Sequence, residues 1–218
     1  LILTKGNVLY TQHILPLASL GISHVKVYRK PKVLFLSTGN EVVDNFDIPL
    51  AIGQIYNSNK PYAVQFLEDI GCECLHYPTI KDDPKEFLNA LHFAHEKQCD
   101  VIISTGAVSA GEFDFVKKSL EVIGTDILYH KIKLRPGKPN LFAKLSSGIL
   151  YFGLPGNPVS TAVGLRMFVF HAIKSMLGQQ PEIPFKSKIN HDFTKKYNLH
   201  GILKAKYQHT DEGYLLVN

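Results

Sequence analysis

Leu154-Pro155-Gly156-Asn157-Pro158-Val159-Ser160 is the stretch on which the fold turns. It follows a β-like run over residues 148–153 and opens an apolar helix expected over residues 158–177. Pro158 suits the first helical position, where its missing N–H costs nothing. Asn157 suits the N-cap. The turn therefore presents a helix N-terminus at the end of a strand, with open N–H groups and the positive pole of the helix dipole. Such an end is a ready site for an anion. Taken alone, the same turn could be plain strand-to-helix scaffolding, so its meaning depends on what surrounds it.

The device recurs along the chain. Residues 32–37 (KVLFLS) read as a buried strand and run into Thr38-Gly39-Asn40-Glu41. Residues 100–104 (DVIIS) read as another, running into Thr105-Gly106-Ala107-Val108-Ser109-Ala110-Gly111-Glu112-Phe113-Asp114. Between them lie a helix over 59–70, with Pro61 near its start and Gly71 as its stop, and a strand over 73–80. A second helix opens at Asp83-Pro84-Lys85-Glu86, with an N-cap Asp, Pro at the first position and Glu at the third, a variant of the capping box. Phe87, Leu88, Leu91 and Ala94 give it an apolar stripe. A helix ending near residue 123 and strands over 127–134, 140–145 and 148–152 follow. The last helix turns Ala162, Leu165, Phe168, Val169, Ala172, Ile173 and Met176 inward and stops at Gly178. Ahead of all this, residues 11–20 read as a helix kinked by Pro16, and residues 25–28 as a short strand.

Strands alternating with helices predict parallel βαβ units in a three-layer α/β sandwich with a mostly parallel sheet. Pro181 and Pro184 punctuate a linker. The strand-like pieces at 202–208 and 214–217 predict a small β-domain, cut short because about forty residues are too few for an independent one. The expected division is a lead-in segment over 1–30, an α/β domain over 31–178 and the start of a β-domain over 179–218.

The 218 residues are 45% hydrophobic and 20% charged, a composition suited to one sizeable core with an appendage. A net charge of +5 favours anionic ligands. The lysines are scattered and do not alternate with aromatics, so nucleic acid is not the expected partner. No apolar run approaches the roughly 20 residues that cross a bilayer, so no membrane partner is expected. No apolar stretch of the secretory type follows Lys5. Leu at position 1 gives an expectation of processing or of a fragment. Cys72, Cys74 and Cys99 read as reduced, intracellular thiols, and Cys-x-Cys is a poor zinc signature. His92, His95 and Cys99 could share one helix face as metal ligands, or simply edge a buried face.

In open α/β sheets, ligands lie beyond the carboxyl ends of the strands. Three glycine-bearing turns occupy such ends, and a fourth, Arg135-Pro136-Gly137-Lys138-Pro139, joins two strands. Glycine lets backbone approach a ligand closely, and successive N–H groups form anion nests. Four such loops on one scaffold point to a polyanionic ligand. The GxxxxGK[ST], GxGxxG and GxSxG patterns are absent, which argues against a P-loop, a dinucleotide fingerprint and a hydrolase elbow. Glu41, Asp82 and Asp114 stand beside the loops, and hard carboxylates near phosphates suit Mg²⁺ or oxyanion–metal chemistry. Each has a simpler reading: Glu41 could brace its own loop and Asp114 could favour the first turn of its helix. Asp83 is most simply an N-cap. Asp82 has no such local duty.

TGNE, IYNSN at 55–59, DDP at 82–84, TGAVSAGEFD, PGKP and LPGNPVS stand in the order and spacing of one family. The chain resembles the MoeA family of molybdopterin molybdenumtransferases, which includes the E domain of gephyrin. The resemblance covers residues 31–178 well. Residues 1–30 resemble the segment leading into that domain, and 179–218 the start of the family's C-terminal β-barrel. It implies the molybdopterin-binding fold shared with MogA and MoaB. It also implies a reaction in which adenylylated molybdopterin and molybdate, with a divalent cation, yield molybdenum on the pterin dithiolene and AMP. Glu41, Asp82 and Asp114 are the implied catalytic and Mg²⁺-holding acids. Thr38, Gly39, Ser104, Gly106, Ser109, Gly111, Pro136, Gly137, Lys138, Pro155, Gly156, Asn157 and Ser160 are the implied substrate contacts. Lys138 would hold phosphate and pterin, and Ser109 and Ser160 would meet the oxyanion. A cytoplasmic location, a homodimer in the full-length protein and a MogA-type adenylyltransferase partner are implied as well.

Departures matter to these expectations. Ala107 replaces the second glycine of the usual pair, and Asn57 stands where Asp is commoner. The family's N-terminal domains, which add an acid to the cleft and much of the dimer contact, are missing, so this chain alone is expected to bind ligand and catalyse poorly. Two other readings stay open: a MogA-like molybdopterin adenylyltransferase, against which PGKP and LPGNPVS argue, and a non-catalytic molybdopterin-binding or scaffold module.

Overall fold

Alternating side chains of the central strands enter two separate cores, and this places helices on both faces of the sheet. The computed structural model describes residues 3–106, 115–189, 192–194, 198–209 and 215–217. In β1 (Lys32–Ser37), Val33 and Phe35 face one core while Leu34 and Leu36 face the other. In β5 (Val101–Thr105), Val101 and Ile103 join the first and Ile102 the second. Strands buried on both faces are continuous apolar runs, as in parallel sheets generally.

Six strands form the main sheet. With β4 (Glu73–His76), β6 (Asp126–His130), β8 (Leu141–Lys144) and β9 (Leu150–Leu154), the order is β4-β1-β5-β9-β8-β6. The first four are parallel, and β8 and β6 add antiparallel. The mostly parallel three-layer α/β fold expected from the sequence is what the chain adopts. On one face lie α3 (Pro84–Glu96) and α4 (Phe115–Val122), centred on Phe87, whose ring meets Phe115 and Tyr151 edge-on. On the other lie α2 (Asn59–Asp69), α5 (Pro158–Gly164) and α6 (Phe170–Met176).

Residues 165–169 between α5 and α6 form a π-helical turn, so the last helix runs on through a π-bulge. Leu165, Val169 and Ile173 are buried at four-residue spacing. Ala162, expected inward, is half-exposed and lines a cavity instead. The helix α1 (Thr11–Ser19) contains Pro16 and buries none of its residues. Residues 25–28 form no strand; Val25, Val27 and Tyr28 are exposed, and the Tyr28 ring lies against Gly178 at the end of α6. The lead-in segment is tied to the sheet by Arg29, whose two terminal nitrogens donate to the carboxylate of Asp100 at 2.5 and 2.6 Å. Toward the C-terminus, β10 (Lys188–Ile189), β12 (Tyr207–His209) and β13 (Leu215–Val217) make a three-stranded sheet. Of the strand expected over 202–208 only the end forms, in β12, while a separate short strand, β11 (His200–Gly201), pairs in parallel with β7 (Leu134–Arg135), beside the PGKP turn.

The three parallel strands β1, β5 and β9 end level, with Ser37 beside Thr105 and Thr105 beside Leu154. Their turns then touch through glycine. Gly106 has φ +97°, and a Cβ built on it would stand 2.4 Å from the Thr38 carbonyl oxygen and 2.6 Å from its hydroxyl. Gly106→Ala is expected to destabilise the protein by roughly 1–3 kcal/mol through this overlap. Gly124→Ala shares a positive φ but has nothing within 4 Å of the added carbon, so it isolates the backbone term. Urea melts of the two variants should show the larger loss at Gly106, and equal losses would remove the contact as its cause.

Candidate functional site

The site is built where the strand ends, their turns and two helix starts converge. The Thr38 N–H donates to Thr105 O at 2.8 Å, Gly39 N–H to Ile80 O at 3.1 Å and Gly106 N–H to Leu154 O at 3.2 Å. Gly156 lies against Gly106, with its notional Cβ 3.5 Å from the Gly106 Cα. The Asn59 Nδ2 at the start of α2 donates to Gly156 O at 2.8 Å. Four segments far apart in sequence thus form one ridge of backbone.

The opening turn behaves differently from its first reading. Asn157 Oδ1 accepts from the N–H groups of Val159 at 3.1 Å and Ser160 at 3.3 Å, and Thr161 Oγ1 donates to Pro155 O at 2.6 Å. The N–H groups expected to await an anion are already capped, as the N-cap preference of Asn dictates. The helix dipole remains, and the turn also contributes shape. Ser160 is 9% exposed and Thr161 fully buried. Ser104, expected at the ligand, is fully buried and hydrogen-bonded to the Tyr151 hydroxyl. It follows Ile102 onto the same face of β5 and so points into the core.

The PGKP turn begins with a cis peptide between Arg135 and Pro136, and Gly137 takes φ +106°. Asn140 is 1% exposed and donates to Gly137 O, closing the turn from beneath. Lys138 is exposed. Backbone bonds from His200 to Lys133 O and from Ile202 to Arg135 O stitch the later segment to this turn. An open cavity of about 460 Å³ lies here, lined by Asn59, Tyr62, Pro136 and Pro158, with Arg166 and Lys204 as its cationic side chains. Neither cation was legible as a site residue from the sequence. Arg166 reaches the cavity from the π-bulge, where it also pairs with Glu182 and covers the Phe170 ring at 4.3 Å.

The acids gather at the β1–β4 side. Asp82 is half-buried, and burial together with the negative charge of Glu41 pushes its carboxyl above the usual range. The Glu41 carboxylate lies over Gly39, 2.9 Å from where a Cβ would be. Asp83 caps α3, its Oδ1 accepting from Lys85 N–H at 2.8 Å. Glu86 does not close the capping box; its Oε2 accepts from Lys81 N–H at 2.9 Å instead. Ser109, Gly111 and Asp114, with Ala107, lie outside the described residues. Among the described residues no group of three His, Cys, Asp or Glu is placed to hold a metal. The His92, His95, Cys99 trio is accordingly not assembled: His92 pairs with Glu96 at 3.3 Å and Cys99 is buried. Burial pushes the thiols of Cys72 and Cys74 up to about 12 and that of Cys99 to about 11, which makes them poor nucleophiles.

One element escaped the sequence reading altogether. The carboxylate of Asp44 accepts from Asn57 Nδ2 at 2.7 Å, Thr79 Oγ1 at 2.8 Å, Lys60 Nζ at 3.1 Å and Thr79 N–H at 3.2 Å. Burial opposes its ionisation, but these donors outweigh it and hold the carboxyl below the usual range. No local spacing announces the cluster, since its members come together only through pairing of β2 (Val42–Val43) with β3 (Ile55–Tyr56) and of Ile80 with the end of β1.

Residues 34–175 match the model of a family described as the probable molybdopterin binding domain. The molybdopterin molybdenumtransferase of Staphylococcus aureus is 35% identical over 99% of this chain and 51% of its own length. That of Haemophilus influenzae is 43% identical over 75% of this chain and 40% of its own. The chain spans about half the length of the curated relatives it matches, or less. The structure of the molybdopterin biosynthesis MoeA protein of Pyrococcus horikoshii superposes on all of this chain and 52% of its own, with a TM-score of 0.76 and 26% identity. A tungsten cofactor synthesizing protein MoaB from Pyrococcus furiosus, at 17% identity and TM-score 0.51, shares the fold over 67% of the chain. Among the described residues no helix is long and apolar enough to cross a membrane.

The position of Asp82 sets a measurable sign. A carboxyl whose folded value is raised gives stability that is complete below the ordinary Asp value and lost as pH rises through the folded value. Asp82→Asn removes that loss. The variant is expected to melt higher than the wild type at neutral pH, with the difference vanishing below the ordinary carboxylate range. Calorimetry across pH checks this, and a variant that melts lower at pH 7 would refute it.

Proposed function

The chain belongs to the family of probable molybdopterin-binding domains, and from that premise we propose that it acts in molybdenum cofactor biosynthesis, transferring molybdenum from molybdate to adenylylated molybdopterin with release of AMP. The observation that carries the reading is the ridge of glycine turns, with the Glu41–Asp82 pair at one flank and a cavity lined by Arg166 and Lys204 beside the PGKP turn at the other. A ligand with phosphates, a bound divalent cation and a planar ring system matches both flanks. The relatives named molybdopterin molybdenumtransferase support it.

Two carboxylates close enough for one to raise the other fit a hard divalent cation such as Mg²⁺, which offsets their repulsion. When bound, the cation would polarise the phosphoanhydride. The chain's own residues do the rest. Glu41 and Asp82 supply oxygen ligands, with Asp114 as the third acid that the family resemblance implies. Lys138 supplies positive charge toward phosphate. Gly39, Gly106 and Gly156 let the turns close on one another into a compact ridge, and the ligand's flat ring would lie along it. Ser160 and the dipole of the last helix face the oxyanion. The setting we infer is cytoplasmic, as a homodimer in the full-length protein, downstream of an adenylyltransferase of the MogA type that supplies the nucleotide.

Titration with adenylylated molybdopterin and molybdate, following AMP, tests the reading. The expected result is molybdate-dependent AMP release that Asp82→Asn abolishes, and tighter binding of the nucleotide to the wild type than to Lys138→Ala by about tenfold. Formation of adenylylated molybdopterin from molybdopterin and ATP without molybdate would replace this function with the adenylyltransferase one. Nucleotide binding without turnover, even with the longer relatives' missing portions supplied, would leave a binding module.

A further inference from the structure

Asp82 makes no hydrogen bond among the described residues, yet its place beside Glu41 decides what the acidic flank can hold. Its position is inherited from the chain on either side. Three residues before it, Thr79 gives its hydroxyl and its N–H to Asp44. Three residues before Asp44 stands Glu41. The two acids therefore sit at the ends of two short arms that leave one carboxylate.

Asn57 locks those arms to the sheet. It is 4% exposed. Its Nδ2 lies 2.7 Å from Asp44, 2.9 Å from Ser37 Oγ and 3.1 Å from Thr79 Oγ1, so its two protons are shared among three acceptors. Its Oδ1 accepts from Lys60 N–H at 3.1 Å and Ser37 Oγ at 3.3 Å. The amide thus touches the end of β1, the arm of Glu41, the arm of Asp82 and the first turn of α2. The arms also pair directly with the strand ends, through Ile80 N–H to Ser37 O at 3.0 Å, Gly39 N–H to Ile80 O at 3.1 Å and Ile55 N–H to Glu41 O at 2.9 Å. A buried amide with every group engaged, facing one carboxylate, specifies a single arrangement. The reverse arrangement, carboxylate facing carboxylate, is electrostatically unfavourable.

We propose that Asp44, acting through the buried amide of Asn57, is the positioning residue that fixes the separation of Glu41 and Asp82. The metal arm of its test rests on the reading of those acids as cation ligands; the backbone arm does not. Asp44→Ala removes the acceptor, and Asn57→Asp sets two carboxylates against each other. The paired exchange Asp44→Asn with Asn57→Asp restores one carboxylate and one amide to the contact. Amide hydrogen exchange at Gly39 and Ile80 reads the arms, and Mn²⁺ titration followed by electron paramagnetic resonance reads the acids.

Each single variant is expected to speed exchange at both amides and to weaken Mn²⁺ binding by roughly 10–100-fold, as loss of an outer partner of metal ligands does. The paired exchange is expected to recover both. Unchanged exchange in the single variants, or a paired variant no better than Asn57→Asp alone, overturns the proposal. If Asn57→Asp fails to fold, Asp44→Ala and the paired exchange still decide it. If the exchange data hold but the wild type takes up no Mn²⁺, the positioning role stands and the cation reading of Glu41 and Asp82 falls instead.

Discussion

A missing carbon governs this structure. Gly106 sits where a Cβ would lie 2.4 Å from the Thr38 carbonyl, and Gly156 closes on it from the other side. Here β1, β5 and β9 finish level, and the backbone at Thr38, Gly106 and Gly156 stands side by side as one ridge. The ends of parallel strands and the starts of the following helices share this edge, which is why open α/β sheets bind ligands there. A side chain at 106 would meet the Thr38 carbonyl and hydroxyl and push these two turns apart.

The ridge lies between two flanks of opposite charge, and the acidic one is held at some expense to the fold. On the acidic side, Asp82 carries a raised carboxyl because burial and Glu41 both disfavour its charge. Nothing in the packing of α3 requires this; the capping task falls to Asp83. The adjacent Asp44 cluster works in the opposite sense. Its donors hold a carboxylate ionised against burial, and the neutral amide of Asn57 keeps a second charge out of the contact. A carboxyl disfavoured as the anion thus stands beside one whose donors favour it.

The layers of the fold were legible because they depend on local chemistry. KVLFLS and DVIIS are unbroken apolar runs, which in a parallel sheet must be buried on both sides. Asp83-Pro84 and Asn157-Pro158 declare helix starts through capping. The Asp44–Asn57–Thr79 cluster was not legible, since its contacts span 13, 22 and 35 residues and exist only after β2 meets β3 and Ile80 meets the end of β1. Ser104 shows an intermediate case. Its motif placed it at the ligand, whereas strand parity with Ile102 already pointed it to the core. Residues 25–28 have a strand's composition, but their side chains stand exposed and no ladder of the sheet includes them.

Capping also relocates the source of affinity for an anion. An uncapped helix start after Leu154 would draw negative charge through its own N–H groups, but Asn157 has taken those of Val159 and Ser160. The helix dipole remains, and side-chain charge that the backbone does not consume would add to it. Lys138 on the PGKP turn, Lys204 on the segment stitched to that turn, and Arg166 at the π-bulge are so placed. Arg166 is shared with Glu182, so an anion entering the cavity competes with a carboxylate for the same guanidinium. The turn that reads from sequence as an anion trap thus stands in the fold as a capped wall of a cavity whose cationic side chains, Arg166 and Lys204, come from other segments.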